Sequence, residues 1–131
     1  MEKVYPKIEF IELGESTNFF RLTEAITFEW EGNIFTVPAG FESDGASVPE
    51  FLWDTVSPRV DPRTLAGAIG HDFLYRETPP GWTRKMADMF FYDCIRLHGL
   101  SLWRSLKAYW GVRLFGFSSW QEKRKKEEES R

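Results

Sequence analysis

Apolar and polar residues alternate strictly from Ile26 to Glu31, with Ile26, Phe28 and Trp30 on one side and Thr27, Glu29 and Glu31 on the other. This is the period of a strand with one buried face. Gly32-Asn33, between Trp30 and Ile34, predicts a two-residue hairpin because glycine accepts the positive φ of primed turns. Ile34 to Val37 is the return strand, ended by Pro38 and Gly40. Upstream, Ile8 and Phe10, then Phe19, Phe20 and Leu22, form short β-prone runs. Residues 40 to 62 mix Gly, Ser, Asp and Pro with Phe41, Val48, Phe51, Leu52, Trp53 and Val56, which predicts an ordered loop pinned to a core by its aromatics.

The period then changes to that of helices. The first has Asp61 as N-cap and Pro62 at the first helical position, and runs to about Arg76. A second begins after Thr83 and stops at Gly99, with Met86, Phe90, Phe91, Cys94 and Ile95 at helical spacing. A third is capped by Ser101 and carries Leu102, Leu106, Tyr109, Trp110 and Leu114 to a stop at Gly116. The pattern predicts an α+β protein: an N-terminal antiparallel sheet of hairpins, an ordered loop, and three C-terminal helices. Residues 1 to 120 read as one globular domain. From Gln121 to Arg131 no residue is apolar, and the segment reads as a charged, disordered tail.

Composition sharpens this picture. Of 131 residues, 42% are hydrophobic and 17% aromatic, more than a disordered chain carries. The formal charge of −3 offers no basic excess for nucleic acid, and Lys123 to Lys126 are offset by Glu127 to Glu129. A lone cysteine, Cys94, excludes an internal disulfide and fits the cytoplasm. The amino end shows no signal peptide, and no window has the roughly 18 apolar residues of a membrane span.

The chain has only two histidines, and one of them opens the densest chemistry. His71 and Tyr75 share a helix face, Asp72 is turned away from it by about 100°, and Asp88 follows across the Pro79-Pro80-Gly81 break. That connection can bring Asp88 against His71. A carboxylate there would orient the imidazole and raise its basicity, so that the free nitrogen can accept a proton from water. Asp72 would remain to bind a hard cation, helped by oxygens of the loop Ser43-Asp44-Gly45-Ala46-Ser47. Arg76 and Arg84 flank the cluster and could bind an anionic substrate, while Ser47 lacks the Gly-x-Ser-x-Gly surround of a nucleophile. The competing explanation is a buried polar network tying helices to loop, with Tyr75 in the core and the arginines in helix-end pairs. Gly67 and Gly70, costly inside a helix, imply a close approach to that face. His98, at a helix C-terminus, is explained by the dipole favouring a cation.

The order Phe41-x-Ser-Asp-Gly-Ala-Ser-Val-Pro, Phe51-Leu-Trp53, His71-Asp-x-Leu-Tyr75-Arg76, Arg84-x-x-Ala-Asp88-x-x-Phe91 and Val112-Arg-Leu-Phe-Gly116 resembles domain-of-unknown-function family 1353, over roughly residues 35 to 120. That resemblance implies a phage or prophage setting, in the host cytoplasm or on the virion, with phage structural or host proteins as partners. The His-Asp-x-x-Tyr helix followed by Ala-Asp-x-x-Phe is also similar to the catalytic helix pair of phospholipase A2. Its implication is a lipid or ester hydrolase in which His71 is the base, Asp88 its partner, Asp72 with Asp44 a calcium site, and phospholipid the substrate. Phospholipase A2 has cysteines and a glycine-rich calcium loop that this chain lacks.

Overall fold

The computed structural model describes residues 1–13, 16–43 and 61–120. Among these residues five strands precede three long helices: β1 (Ile8–Leu13), β2 (Ser16–Leu22), β3 (Ile26–Trp30), β4 (Asn33–Val37), β5 (Glu42–Ser43), α1 (Leu65–Glu77), α2 (Arg84–Leu97) and α3 (Leu102–Phe115). The α+β expectation holds. β3 and β4 form an antiparallel hairpin whose inner residues Ile26, Phe28, Trp30, Phe35 and Val37 are buried while Thr27 and Thr36 face solvent.

The hairpin turn sits one residue earlier than the sequence suggests. Trp30 pairs with Asn33, so Glu31 and Gly32 are the turn residues, with φ of 50° and 77°. Both central residues of a type I′ turn need positive φ, and glycine is favoured at the second. This register also sets Phe28 opposite Phe35, where the rings stack at 5.1 Å. The other sheet has the order β1-β2-β5, all antiparallel. β5 falls where the sequence reads as loop, because a two-residue strand is too short to show alternation. Arg21 on β2 lies between Glu9 and Glu42 on the neighbouring strands, 3.1 Å from each. The remainder of the aromatic loop, and the tail from Gln121, lie outside the described residues.

The helices begin and end close to their sequence signals. Thr83 accepts a hydrogen bond from the Met86 N–H and Ser101 from that of Arg104, each closing an N-terminus. Gly99, with φ of 101°, and Gly116 follow α2 and α3. α1 starts at Leu65 rather than Pro62. The Asp61 carboxylate accepts from the Arg63 N–H and grips its guanidinium, so 62–64 form a turn before the helix settles. Gly67 and Gly70 mark close packing between elements, since a Cβ at Gly67 would lie 2.9 Å from Ile95 of α2 and one at Gly70 would lie 2.6 Å from Phe90. Contact with α2 accounts for both. His98 likewise does more than end a helix: its ring bridges the Cys94 carbonyl and the Val4 backbone, tying down the amino-terminal segment. α3 buries only small side chains, Ser105, Ala108, Gly111 and Val112.

Candidate functional site

α1 and α2 pack against each other, and their facing sides bring His71 and Asp88 together. His71 Nε2 lies 2.7 Å from Asp88 Oδ1. One turn along α1, the Tyr75 hydroxyl donates to the same oxygen at 2.6 Å. From α3, Arg113 Nη1 donates to Asp88 Oδ2 at 2.8 Å, with Arg84 Nη1 at 3.6 Å. Three helices therefore converge on one carboxylate. Neither His71 nor Asp88 has exposed surface.

The electrostatics follow from that enclosure. Burial alone would raise the Asp88 pKa, but the hydrogen bonds it accepts from His71, Tyr75 and Arg113 outweigh it and hold the carboxyl below its ordinary 3.8. Asp88 is an anion. Burial, and then the Asp88 charge, push the Tyr75 phenol well above its ordinary range, so its proton stays in place to be donated. Because an ionised carboxylate only accepts, the proton between it and the ring belongs to Nε2. A ring with that proton on Nε2 and no second one has its lone pair on Nδ1. That atom is buried and has no hydrogen-bond partner among the described residues. The ring is flanked by Tyr75 and Phe91, at centroid distances of 4.2 and 5.0 Å, and Trp120 packs edge-on against Tyr75.

Asp72 points elsewhere. Its Oδ2 accepts from the Ser43 hydroxyl of β5 at 2.7 Å and lies 3.0 Å from Arg76 Nη2. Arg76 also donates to the Glu42 carbonyl at 2.6 Å, so this second cluster sews α1 to the sheet edge. Arg84 donates to the carbonyls of Val112 and Arg113, satisfying the last turn of α3. Asp44 and Ser47 lie outside the described residues. Cys94 is core, its thiol pushed up to about 12 by burial and then by the charge of Asp93.

The structure thus joins His71, Tyr75 and Asp88 and separates them from Asp72, Ser43 and Arg76. The sequence did not single out Arg113. A cation in the last turn of a helix is ordinary pairing with the dipole, and nothing in its spacing from Asp88 marks it as a partner.

The family model described as "protein of unknown function (DUF1353)" matches residues 20–112, and the chain belongs to that family. The matched span contains His71, Tyr75 and Asp88 and ends beside Arg113. The chain is also 26% identical over 112 residues to the uncharacterized protein y4jT of Sinorhizobium fredii (strain NBRC 101917 / NGR234), covering 85% of this chain and 32% of that protein. It therefore spans about a third of the length of this curated relative. No solved structure matches it.

Proposed function

We propose that this member of the family is a small hydrolase with His71 as its general base. The observation that supports it is the unpartnered Nδ1: the ring is fixed through Nε2 while its other nitrogen is left without a bond. Buried polar atoms are nearly always paired, and an orphan costs about 1–3 kcal/mol. A base needs that arrangement, with one nitrogen oriented by a carboxylate and the other carrying a free lone pair.

In the proposed reaction, Nδ1 takes a proton from water as the oxygen attacks the carbonyl carbon of an ester. The resulting imidazolium is stabilised through Nε2 by Asp88, and its Nδ1 proton passes to the departing alkoxide, releasing acid and alcohol. Tyr75 and Arg113 hold Asp88 in place and are positioning residues. Phospholipid is the substrate that the likeness to phospholipase A2 suggests.

Calcium, which that likeness also implies, fits the described residues poorly. A guanidinium already lies 3.0 Å from Asp72 Oδ2, and among the described residues no group of three or more His, Cys, Asp or Glu side chains converges. No step is routed through a metal.

The complete enclosure of His71 and Asp88 favours a second reading. In it the cluster is a structural network, and the protein is a phage virion, assembly or host-interaction component. The two readings separate on His71→Asn, assayed for fatty-acid release from phospholipid vesicles and for thermal stability. A catalytic His71 predicts a loss of about 10²–10⁴ in rate with a Tm drop of only a few degrees. A wild type that releases no fatty acid, together with a variant that largely unfolds, overturns the hydrolase reading.

A further inference from the structure

α3 is apolar on two opposite sides, and the described residues cover only one of them. Its inner face packs Ala108 and Val112 into the core. Its outer face presents Trp103, Trp110, Leu114 and, in the helical turn 117–120, Phe117, with exposures of 69%, 58%, 68% and 57%. Trp103, Trp110 and Leu114 recur at helical spacing and form one stripe, and the half-exposed Phe117, whose ring lies 5.7 Å from the Arg84 guanidinium, follows just past the helix end at Gly116. Met89, Tyr92, Leu106 and Tyr109 extend it into an open groove of about 360 Å³ beside Trp110, whose one acidic lining residue, Asp93, accepts a hydrogen bond from the Trp30 indole N–H at 2.7 Å. Isolated exposed apolar residues need no explanation, whereas a contiguous aromatic patch marks a surface that something covers.

The charges around the stripe indicate the occupant. α3 carries Arg104, Lys107 and Arg113 and no acidic residue. Arg113 turns inward to Asp88. Arg104 and Lys107 remain exposed, with Lys107 Nζ 5.8 Å from the Trp103 ring centroid. Tryptophan and phenylalanine beside lysine and arginine suit the boundary between hydrocarbon and anionic headgroups, where the rings enter and the cations stay wet. A protein interface core, by contrast, is depleted of lysine. No helix among the described residues is long and apolar enough to cross a membrane, so any such contact is peripheral.

We infer that the outer face of α3 docks the protein onto the surface of an anionic phospholipid bilayer, with Trp103, Trp110, Leu114 and Phe117 entering the interface and Arg104 and Lys107 meeting headgroup phosphates. This inference does not depend on the hydrolase reading, because binding needs no working His71. The test is co-sedimentation of the full chain with vesicles of phosphatidylglycerol and phosphatidylcholine, and with phosphatidylcholine alone. The wild type is expected to bind the anionic vesicles at least about tenfold more tightly, with screening by salt. Trp103→Ala combined with Trp110→Ala should lower that binding about tenfold or more with an unchanged circular dichroism spectrum, and Lys107→Glu should weaken it. Absence of sedimentation, equal binding to neutral vesicles, or full binding by the double tryptophan variant overturns the inference. So does a wild-type dimer that the double variant converts to monomer without any vesicle binding, which assigns the stripe to a second copy of the chain. Vesicle binding by a wild type that releases no fatty acid counts against phospholipid as the hydrolase's substrate and leaves the docking inference standing.

Discussion

Asp88 and Asp72 are both buried carboxylates beside an arginine, yet they are built for different ends. Asp88 lies where three helices meet, takes donors from His71, Tyr75 and Arg113, and is closed from solvent. Asp72 lies at the seam of α1 and the sheet, and its partner Arg76 keeps 42% of its side chain exposed. Arg76 returns to water when it loses its partner, whereas the fully buried His71 ring cannot, and Arg113, 24% exposed, does so less freely. The Asp88 cluster can therefore hold an imidazole at one fixed geometry. The Asp72 cluster, made from the very next residue after His71, fastens one layer to another.

This contrast is broken most sharply by Asp88→Ala. Removing the carboxylate strands Arg113, the Tyr75 hydroxyl and His71 Nε2 together, for an expected loss of about 3–5 kcal/mol in urea unfolding. A loss under about 1 kcal/mol would erase the difference between the two sites. Asp72→Ala should cost less, about 1–2 kcal/mol, because Arg76 resolvates and chiefly the buried Ser43 hydroxyl suffers.

Acid sharpens the comparison further. The folded pKa of Asp88 lies below its ordinary 3.8, so its contribution to stability is complete above that value and is lost as pH falls through the lower folded value. Unfolding followed below pH 4 should steepen in the wild type, and Asp88→Asn should flatten that limb. An identical acid limb in both proteins would mean that Asp88 is not held ionised by its partners.

Calcium gives the smallest expected effect. With Arg76 at Asp72, millimolar calcium should shift Tm by less than about 1 °C. A larger rise that disappears in Asp72→Asn would make Asp72 a metal ligand after all.

Much of this arrangement was legible in the chain, and the reasons for what was not are physical. The Ile26 to Val37 hairpin, the Thr83 and Ser101 caps and the pairing of His71 with Asp88 are local signals, set by turn chemistry, capping and a short connection. The turn at Glu31-Gly32 was displaced because cross-strand stacking of Phe28 on Phe35 chose the register. Arg113 was hidden because its partner lies on another helix. Spacing alone showed α3 as an apolar helix with Leu102, Trp110 and Leu114, but it cannot say which face turns inward. The small residues Ser105, Ala108 and Gly111 do so because they allow close packing of α3.

The state of His71 Nδ1 can be read directly. With only two histidines in the chain, long-range ¹H–¹⁵N correlation spectra resolve each imidazole. At mildly alkaline pH, His71 should appear as the Nε2–H tautomer, hydrogen-bonded through that proton to Asp88, with an Nδ1 shift of a free lone pair. A ring protonated at Nδ1, or an Nδ1 whose shift shows it hydrogen-bonded within the protein, would contradict the account.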